Sequence, residues 1–211
     1  MNDLGELVEE AAIGVGVSDR RDGLAAILRP DCAAAVWRRE IDPGFQRWID
    51  ALDPEVLPRL RRIMRPDAVG ATVSQLLAEQ RMPEGAERAW LAEDVTALAE
   101  RFIALVPAPY LRLRLDVVTT NSCRRFHVDA VTARLVCTYR GTGTQYGVAT
   151  GGAEPERIHT VPTGSPIVLR GTLWPETPQS GLRHRSPPIE GTGETRLLCV
   201  VDPVARLDED G

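Results

Sequence analysis

The chain has 211 residues, of which 43% are hydrophobic, and its 25 basic and 30 acidic side chains give it a formal charge of −5. This length and composition fit one compact domain, or a tight pair of modules, with a real core. Every basic residue is an arginine, so the absence of lysine excludes Schiff-base chemistry, pyridoxal-phosphate enzymes and the phosphate-binding P-loop.

The N-terminal residues and the cysteines bear on the cellular compartment. The first six residues are acidic and lack the basic-then-apolar order of a signal peptide, and no apolar run approaches the ~20 residues of a membrane span. Cys32, Cys123, Cys137 and Cys199 are scattered without a CxxC pair. We therefore expect a reduced, cytoplasmic protein without a membrane partner. The mild acidity argues against a nucleic-acid partner, and the oligomeric state stays open.

Residues 1–106 have the pattern of a helical module. Asp42 and Asp53 each precede a proline, which places a capping carboxylate before a proline at the first helical position. Apolar residues at helical spacing predict helices that face a core rather than functional surfaces. These stripes are Leu24 to Leu28, Val36-Trp37, Val56-Leu57-Leu60-Ile63-Met64, Val69-Val73-Leu76-Leu77 and Trp90-Leu91-Val95-Leu98-Phe102-Leu105.

The hydrophobic period changes to two after Pro107-Ala108-Pro109. Leucines from Leu111 onward alternate with Arg112, Arg114 and Asp116, as in a strand with one wet face. Further candidate strands lie between turns rich in glycine, proline and threonine, including Gly151-Gly152, and they are Arg134–Arg140, Ile158–Val161, Ile167–Arg170 and Arg196–Asp202. We predict an α+β protein in which residues 107–203 form a jelly-roll-like barrel or sandwich and residues 204–211 form an acidic tail.

Three residues of the second half have the chemistry of a metal site. His127 and Asp129 are two positions apart, so a strand would point both to one face, and His184 follows later in the chain. Two imidazoles and one carboxylate form the facial triad of non-heme Fe(II) oxygenases. Arg196 opens an apolar strand and offers a planar fork for the carboxylate of a 2-oxo acid. Taken alone, the His-x-Asp string fits a structural hydrogen bond on a surface strand equally well.

The order of these motifs over residues 110–202 resembles the double-stranded β-helix of the Fe(II)/2-oxoglutarate-dependent dioxygenases, of the prolyl hydroxylase type. In that family an Arg-led strand ending in tyrosine follows the His-x-Asp motif, and a later histidine precedes a second Arg-led strand. Here the segment from Arg134 to Tyr139, then His184 and Arg196, occupy those places. More narrowly, the strings Phe-His-Val-Asp, Cys-Thr-Tyr-Arg-Gly-Thr-Gly-Thr and His-Arg-Ser-Pro-Pro resemble the bacterial family known as domain of unknown function 1826.

The resemblance implies specific roles for these residues. Fe(II) would be bound by His127, Asp129 and His184, and 2-oxoglutarate would be held by Arg196 and Tyr139, with no further catalytic residue. Tyr139 is equally consistent with a tyrosine of the barrel core. Two features depart from the family pattern: the spacing from histidine to arginine is slightly long, and Leu198 stands where many members carry Ser or Thr.

The pattern leaves three functional hypotheses. The first is an oxygenase that hydroxylates an unidentified small molecule or protein. The second is a non-catalytic metal-binding or sensing protein that holds Zn(II) in the same His-Asp-His site, because zinc binds nitrogen and oxygen ligands more tightly than iron does. The third is a structural β-sandwich without metal. Arg196 separates the first two, since a buried guanidinium requires an anion, either Glu194 or a bound carboxylate.

Overall fold

The computed structural model describes residues 11–149 and 154–207 of the chain. These residues form ten β-strands and three α-helices. The strands are β1 Gly14–Ser18, β2 Cys32–Trp37, β3 Leu60–Met64, β4 Tyr110–Val118, β5 Ala133–Arg140, β6 Gln145–Val148, β7 His159–Thr160, β8 Pro166–Arg170, β9 Leu182–Arg185 and β10 Arg196–Val204. The helices are α1 Pro43–Ala51, α2 Val69–Glu79 and α3 Ala86–Leu105.

Two β-sheets pack face to face, and the helices cover the outer side of the larger one. The larger sheet has seven strands in the order β1-β2-β8-β5-β10-β4-β3, and the smaller has three in the order β7-β6-β9. Most neighbouring strands are antiparallel, and β1 and β2 form a parallel pair. This arrangement of helix and sheet agrees with the predicted α+β class.

The three helices lie where their sequence signals predicted. Asp42 Oδ1 accepts a hydrogen bond of 3.0 Å from the backbone N–H of Phe45, so this carboxylate caps α1, whose first residue is Pro43. The long helix α3 ends at Leu105, before the proline pair at 107 and 109. In the described part of the chain, no helix combines the length and apolar character that crossing a membrane requires.

The helical interpretation of residues 1–106 is correct only in part. Val36-Trp37 belongs to β2, and Leu24 to Leu28 lies in a short 3₁₀ helix, Arg21–Leu28. The stripe from Val56 to Met64, predicted as a helix capped by Asp53, is a turn followed by the edge strand β3. Pairing with β4 and β8 overrides the helical spacing, because a short apolar run fits either period and tertiary contacts decide. Strands from both sides of residue 106 therefore share one sheet.

The strands predicted after residue 107 are present, with small differences in length. β10 extends to Val204, so this residue belongs to the sheet rather than to the predicted acidic tail. Residues 208–211 of that tail lie outside the described residues, as do the N-terminal residues 1–10 and the predicted Gly151-Gly152 turn.

The two faces of the larger sheet have different neighbours. One face, here the helix face, packs with the helices in the main hydrophobic core, and its residues are Leu111, Leu113, Leu115, Leu135, Cys137, Tyr139, Leu197, Cys199 and Val201. The other face, here the cavity face, points toward the smaller sheet, and its residues include Arg114, Asp116, Arg134, Val136, Thr138, Arg196, Leu198 and Val200. A cavity of about 550 Å³ is bounded by the cavity face and β9.

Candidate metal centre

The two histidines of the predicted triad lie directly opposite each other. The backbone N–H of His127 donates to the carbonyl of His184, and the N–H of His184 donates to the carbonyl of His127, each at 3.0 Å. In an antiparallel pair, residues that exchange both hydrogen bonds project their side chains to the same face. The two imidazole centroids are accordingly 4.5 Å apart, and both rings line the cavity.

Asp129 joins the two histidines from the turn that follows His127. Its Oδ1 lies 3.4 Å from His127 Nε2, and its Oδ2 lies 3.0 Å from His184 Nε2. One ligand atom from each of the three residues lies within 4.8 Å of the others. The structure therefore brings together the three residues that the sequence predicted as metal ligands.

A close backbone approach fixes the turn that carries Asp129. The backbone N–H of Thr172 donates to the Asp129 carbonyl at 2.9 Å. A Cβ at Gly171 would lie 1.8 Å from the Val131 carbonyl oxygen and 2.8 Å from that of Asp129, so a larger residue would displace the turn. The sequence Gly171-Thr172 thus positions a carboxylate that is distant from it in the chain.

Hydrogen bonding and burial set the state of the two imidazoles. His127 Nδ1 lies 2.8 Å from the Arg125 carbonyl, which can only accept, so Nδ1 carries the proton and Nε2 faces Asp129. The carboxylate of Asp129 raises the pKa of His127, whereas burial lowers the pKa of His184. A backbone carbonyl that orients a ring in this way is the usual second partner of a metal-ligating histidine.

Arg134 forms salt bridges with the carboxylates of both Asp129 and Asp202. Its Nη1 lies 2.5 Å from Asp129 Oδ1, while Nε and Nη2 donate to the buried carboxylate of Asp202 at 2.6 and 2.8 Å. Burial alone would raise the pKa of Asp129, but His127, His184 and Arg134 together lower it. Arg134 itself lies in the wall of the cavity.

These residues fit a divalent metal ion. Asp129 Oδ2 is buried and accepts no hydrogen bond of acceptable geometry, although buried carboxylate oxygens are normally satisfied. Two imidazole nitrogens and a carboxylate are also the donor set that iron(II) and zinc(II) take in proteins. The unsatisfied oxygen is therefore the feature that a bound cation would explain.

Arg196 is fully buried at the start of β10 and is on the cavity face with Leu198 and Val200. Its Nε donates to the Thr142 carbonyl at 2.6 Å and its Nη2 lies 3.5 Å from Thr138 Oγ1, while Nη1 is buried without a partner. Burial lowers the pKa of Arg196 to about 10, although Glu194 opposes the shift.

Glu194 does not hydrogen-bond to that guanidinium. Its carboxylate instead accepts hydrogen bonds from the backbone N–H and the hydroxyl of Thr142, at 2.6 and 3.0 Å. Of the two anions that the sequence offered for Arg196, the internal acid is thus engaged elsewhere. A buried guanidinium with a free N–H is the arrangement that a bound carboxylate would complete.

Tyr139 does not join the site, and its predicted cosubstrate contact is wrong. It is fully buried on the helix face, where its hydroxyl donates to Asp94 Oδ2 at 2.5 Å. Burial raises the pKa of Tyr139 well above its usual value. On the same strand, Val136 and Thr138 point the other way, toward the cavity side. Alternation along β5 puts these two sets of side chains on opposite faces, but the sequence does not indicate which face lines the ligand site.

Arg114 is a cavity residue that the sequence did not indicate. It was interpreted as part of the wet face of a strand, and that face is the wall of the cavity. The sequence signal available for this role was the alternation in β4, where Arg112, Arg114 and Asp116 occupy one face and leucines occupy the other.

Comparison with known proteins gives one family and several solved structures. The family described as "Protein of unknown function (DUF1826)" matches residues 18–202. No curated protein matches the chain.

Among solved structures, the dioxygenase for auxin oxidation of rice superposes with a TM-score of 0.54 at 15% identity, covering 93% of this chain and 84% of that one. The Arabidopsis thaliana dioxygenase for auxin oxidation 1, in complex with 2-oxoglutarate, gives a TM-score of 0.53 at 10% identity, with 94% and 95% covered. A Pseudomonas putida prolyl-4-hydroxylase gives 0.43 at 13% identity, with 87% and 97% covered. At such identities, the first two likenesses show that the fold is shared.

Proposed function

The chain belongs to the DUF1826 family of proteins of unknown function, and we propose that it is an Fe(II)- and 2-oxoglutarate-dependent oxygenase that hydroxylates a C–H bond. One observation carries the proposal. The protein holds two incomplete groups. The His-Asp-His cluster has a buried carboxylate oxygen that is unsatisfied, and Arg196, on the cavity face, has a buried N–H that is unsatisfied. A bound cation would satisfy the carboxylate oxygen, and a bound anion would satisfy the arginine N–H.

His127, Asp129 and His184 would hold the metal. Two imidazoles and one carboxylate are the donor set of non-heme iron(II) oxygenases, and iron(II) held there would supply the oxidising chemistry. The protein's contribution is orientation. The Arg125 carbonyl fixes the ring of His127, and Arg134, anchored on Asp202, fixes the carboxylate.

Arg196 would bind the far carboxylate of 2-oxoglutarate. The Thr142 carbonyl holds its Nε, so the planar fork has one fixed orientation and Nη1 remains available. The apolar residues Leu198 and Val200 lie further along the same strand and restrict water in the cavity. The bound 2-oxoglutarate in the Arabidopsis structure, which shares this fold, supports the choice of cosubstrate.

The alternative is a non-catalytic protein that binds zinc(II) through the same three residues. The donor set allows zinc, and relative affinities favour it over iron. A zinc site, however, gives no reason for a fully buried arginine with an unsatisfied N–H on the cavity face. That arginine is the reason to prefer the oxygenase.

Turnover of 2-oxoglutarate tests the proposal. Protein loaded with Fe(II) without oxygen, then exposed to air, should convert 2-oxoglutarate and oxygen into succinate and carbon dioxide, slowly without its substrate and faster with it. Asp129→Asn, which keeps the shape and removes the charged ligand, should abolish the conversion. Succinate formation no greater than in Asp129→Asn, from a wild-type protein that retains zinc by elemental analysis, would establish the alternative.

A further inference from the structure

The wall of the cavity opposite the histidines carries a second positive group. This wall is formed by β3 and β4, and Arg61 on β3 lies opposite Arg114 on β4. Arg59, just before β3, also lines the cavity, and its Nη1 donates to the Val117 carbonyl. None of these residues belongs to the His-Asp-His cluster, and Arg196 is not part of this wall.

Arg114 is poorly satisfied for a guanidinium that is 20% exposed. Its Nη1 lies 3.6 Å from Asp116 Oδ2, and its Nη2 lies 3.9 Å from Asp202 Oδ2, both beyond hydrogen-bond distance. Asp202 is already engaged by two hydrogen bonds from Arg134. Arg114 Nε is buried and has no partner. An oxygen atom of a bound ligand could accept the hydrogen bonds from Arg114 that neither aspartate is close enough to accept.

The charge of the cavity has the sign that attracts an anion. Five of the described residues that line it are arginines and one, Asp116, is acidic, although the whole chain carries a net charge of −5; the arginines are Arg59, Arg61, Arg114, Arg134 and Arg185. Asp129 and Asp202 offset part of this charge through Arg134. A cleft with one sign of charge between low-dielectric walls concentrates ligands of the opposite charge.

Arg114 and Arg196 are at different places along the same face. Arg114 lies opposite Val200 in the sheet, and Arg196 precedes Val200 by four residues on β10, or roughly 13 Å at the usual rise of a strand. Leu198 lies between them and lines the cavity. The spacing provides for two anionic groups rather than one.

We propose that the β3–β4 wall binds the anionic head, a carboxylate or a phosphate, of an organic substrate with an apolar body, and that Arg114 is its specificity-determining residue. Arg61 assists from the neighbouring strand. The apolar body lies along Val118, Leu198 and Val200, which line the cavity and pack together on the cavity face. This inference rests on the proposed function, because only an oxygenase would require the substrate to extend toward the His-Asp-His cluster.

Binding of simple probes tests the inference without turnover. The probes are hexanoate, hexyl phosphate and the neutral hexanamide, titrated calorimetrically into Fe(II)-loaded protein without oxygen, with saturating 2-oxoglutarate to occupy the position at Arg196. The wild type should bind one of the anions about tenfold more tightly than hexanamide, the difference expected for a hydrogen bond to a charged group.

Three variants make the test specific. Arg114→Gln should remove the preference for the anion and leave 2-oxoglutarate affinity unchanged. Arg62→Gln is the matched control, because Arg62 neighbours Arg61 on β3 but alternates to the opposite face, and it should bind as the wild type does. Arg61→Gln, at an exposed side chain, should weaken anion binding about threefold, and it decides the question if Arg114→Gln does not fold.

Two results would overturn the inference: equal binding of all probes by the wild type, or loss of 2-oxoglutarate binding in Arg114→Gln, which would assign this arginine to the cosubstrate. The same titrations without metal and cosubstrate separate this failure from failure of the proposed function. A protein that binds neither Fe(II) nor 2-oxoglutarate, yet prefers the anions through Arg114, would retain the anion site and lose the oxygenase.

Discussion

The two faces of the larger sheet both bury polar side chains, but they satisfy them differently. On the helix face, Tyr139 donates to Asp94, and Arg39 forms two hydrogen bonds to the same carboxylate and one to the Gly164 carbonyl. On the cavity side, Arg196 Nη1, Asp129 Oδ2 and Arg114 Nε are buried without a hydrogen bond of acceptable geometry, although Asp129 Oδ2 lies 3.0 Å from His184 Nε2. Among the described residues, the other such side-chain atom is Trp174 Nε1.

The difference in hydrogen bonding distinguishes polar groups that stabilise the fold from polar groups that are available to bind a ligand. A closed buried network holds elements together and has no capacity left for a ligand, whereas unsatisfied buried groups are costly unless something binds them. The helix-face network joins α3 to β5 and to the segment after β2, which explains its place in the fold. Three of the unsatisfied atoms belong to the cavity face or to the His-Asp-His cluster, which is why we assign ligands to them.

Breaking the closed network should have the largest effect on folding. Asp94→Asn leaves the buried Arg39 guanidinium without its counter-charge, and we expect the free energy of unfolding to fall by about 3–5 kcal/mol. Urea denaturation followed by circular dichroism measures it. Asp22→Asn removes an exposed pair with Arg20 and should leave the midpoint unchanged. Equal midpoints for the two variants would contradict a structural role for the network.

Removing a ligand on the cavity side should affect metal binding and not folding. Asp129→Asn should weaken Fe(II) binding by at least about 100-fold, since even residues that only orient a ligand are worth 10- to 100-fold. Arg134 keeps its hydrogen bonds to Asp202, so the metal-free variant should unfold within about 1 kcal/mol of the wild type. Anaerobic metal titration and urea denaturation give the two values. If Asp129→Asn kept full Fe(II) affinity but lost stability, Asp129 would be a structural residue rather than a metal ligand.

The smallest expected effect compares two adjacent valines of β10. Val201 packs in the main core and Val200 lines the cavity. Val201→Ala should lower the free energy of unfolding by about 2 kcal/mol, from lost burial plus the void left behind. Val200→Ala should cost about 1 kcal/mol, because the cavity already adjoins the removed atoms. Thermal denaturation of both variants checks the order, and a larger loss at Val200 would mean that the cavity is a sealed core.

The sequence predicted the metal ligands better than the wall around them. His127 and Asp129 are close in the chain, and His184 is the later histidine that precedes the strand led by Arg196. Tyr139 and Arg134 lie on opposite faces of β5, and because both faces are covered, polarity alone could not assign one of them to the cavity. β3 was predicted as helix because Leu60, Ile63 and Met64 have the i, i+3, i+4 spacing of one face of a helix. The antiparallel pairing with β4, which the sequence does not show, makes this segment a strand.

The central claim is that ligands belong to the cavity face and not to the helix face, and one titration compares the two. Fe(II)-loaded protein without oxygen is titrated with 2-oxoglutarate, and the weak visible charge-transfer band of the complex is recorded for the wild type, Arg196→Lys and Tyr139→Phe. The band should form with equal affinity in the wild type and Tyr139→Phe. Arg196→Lys should bind Fe(II) normally but 2-oxoglutarate about tenfold more weakly, since an ammonium cannot replace the planar fork. Absence of the band in the wild type, or weakened binding in Tyr139→Phe with none in Arg196→Lys, would contradict the account.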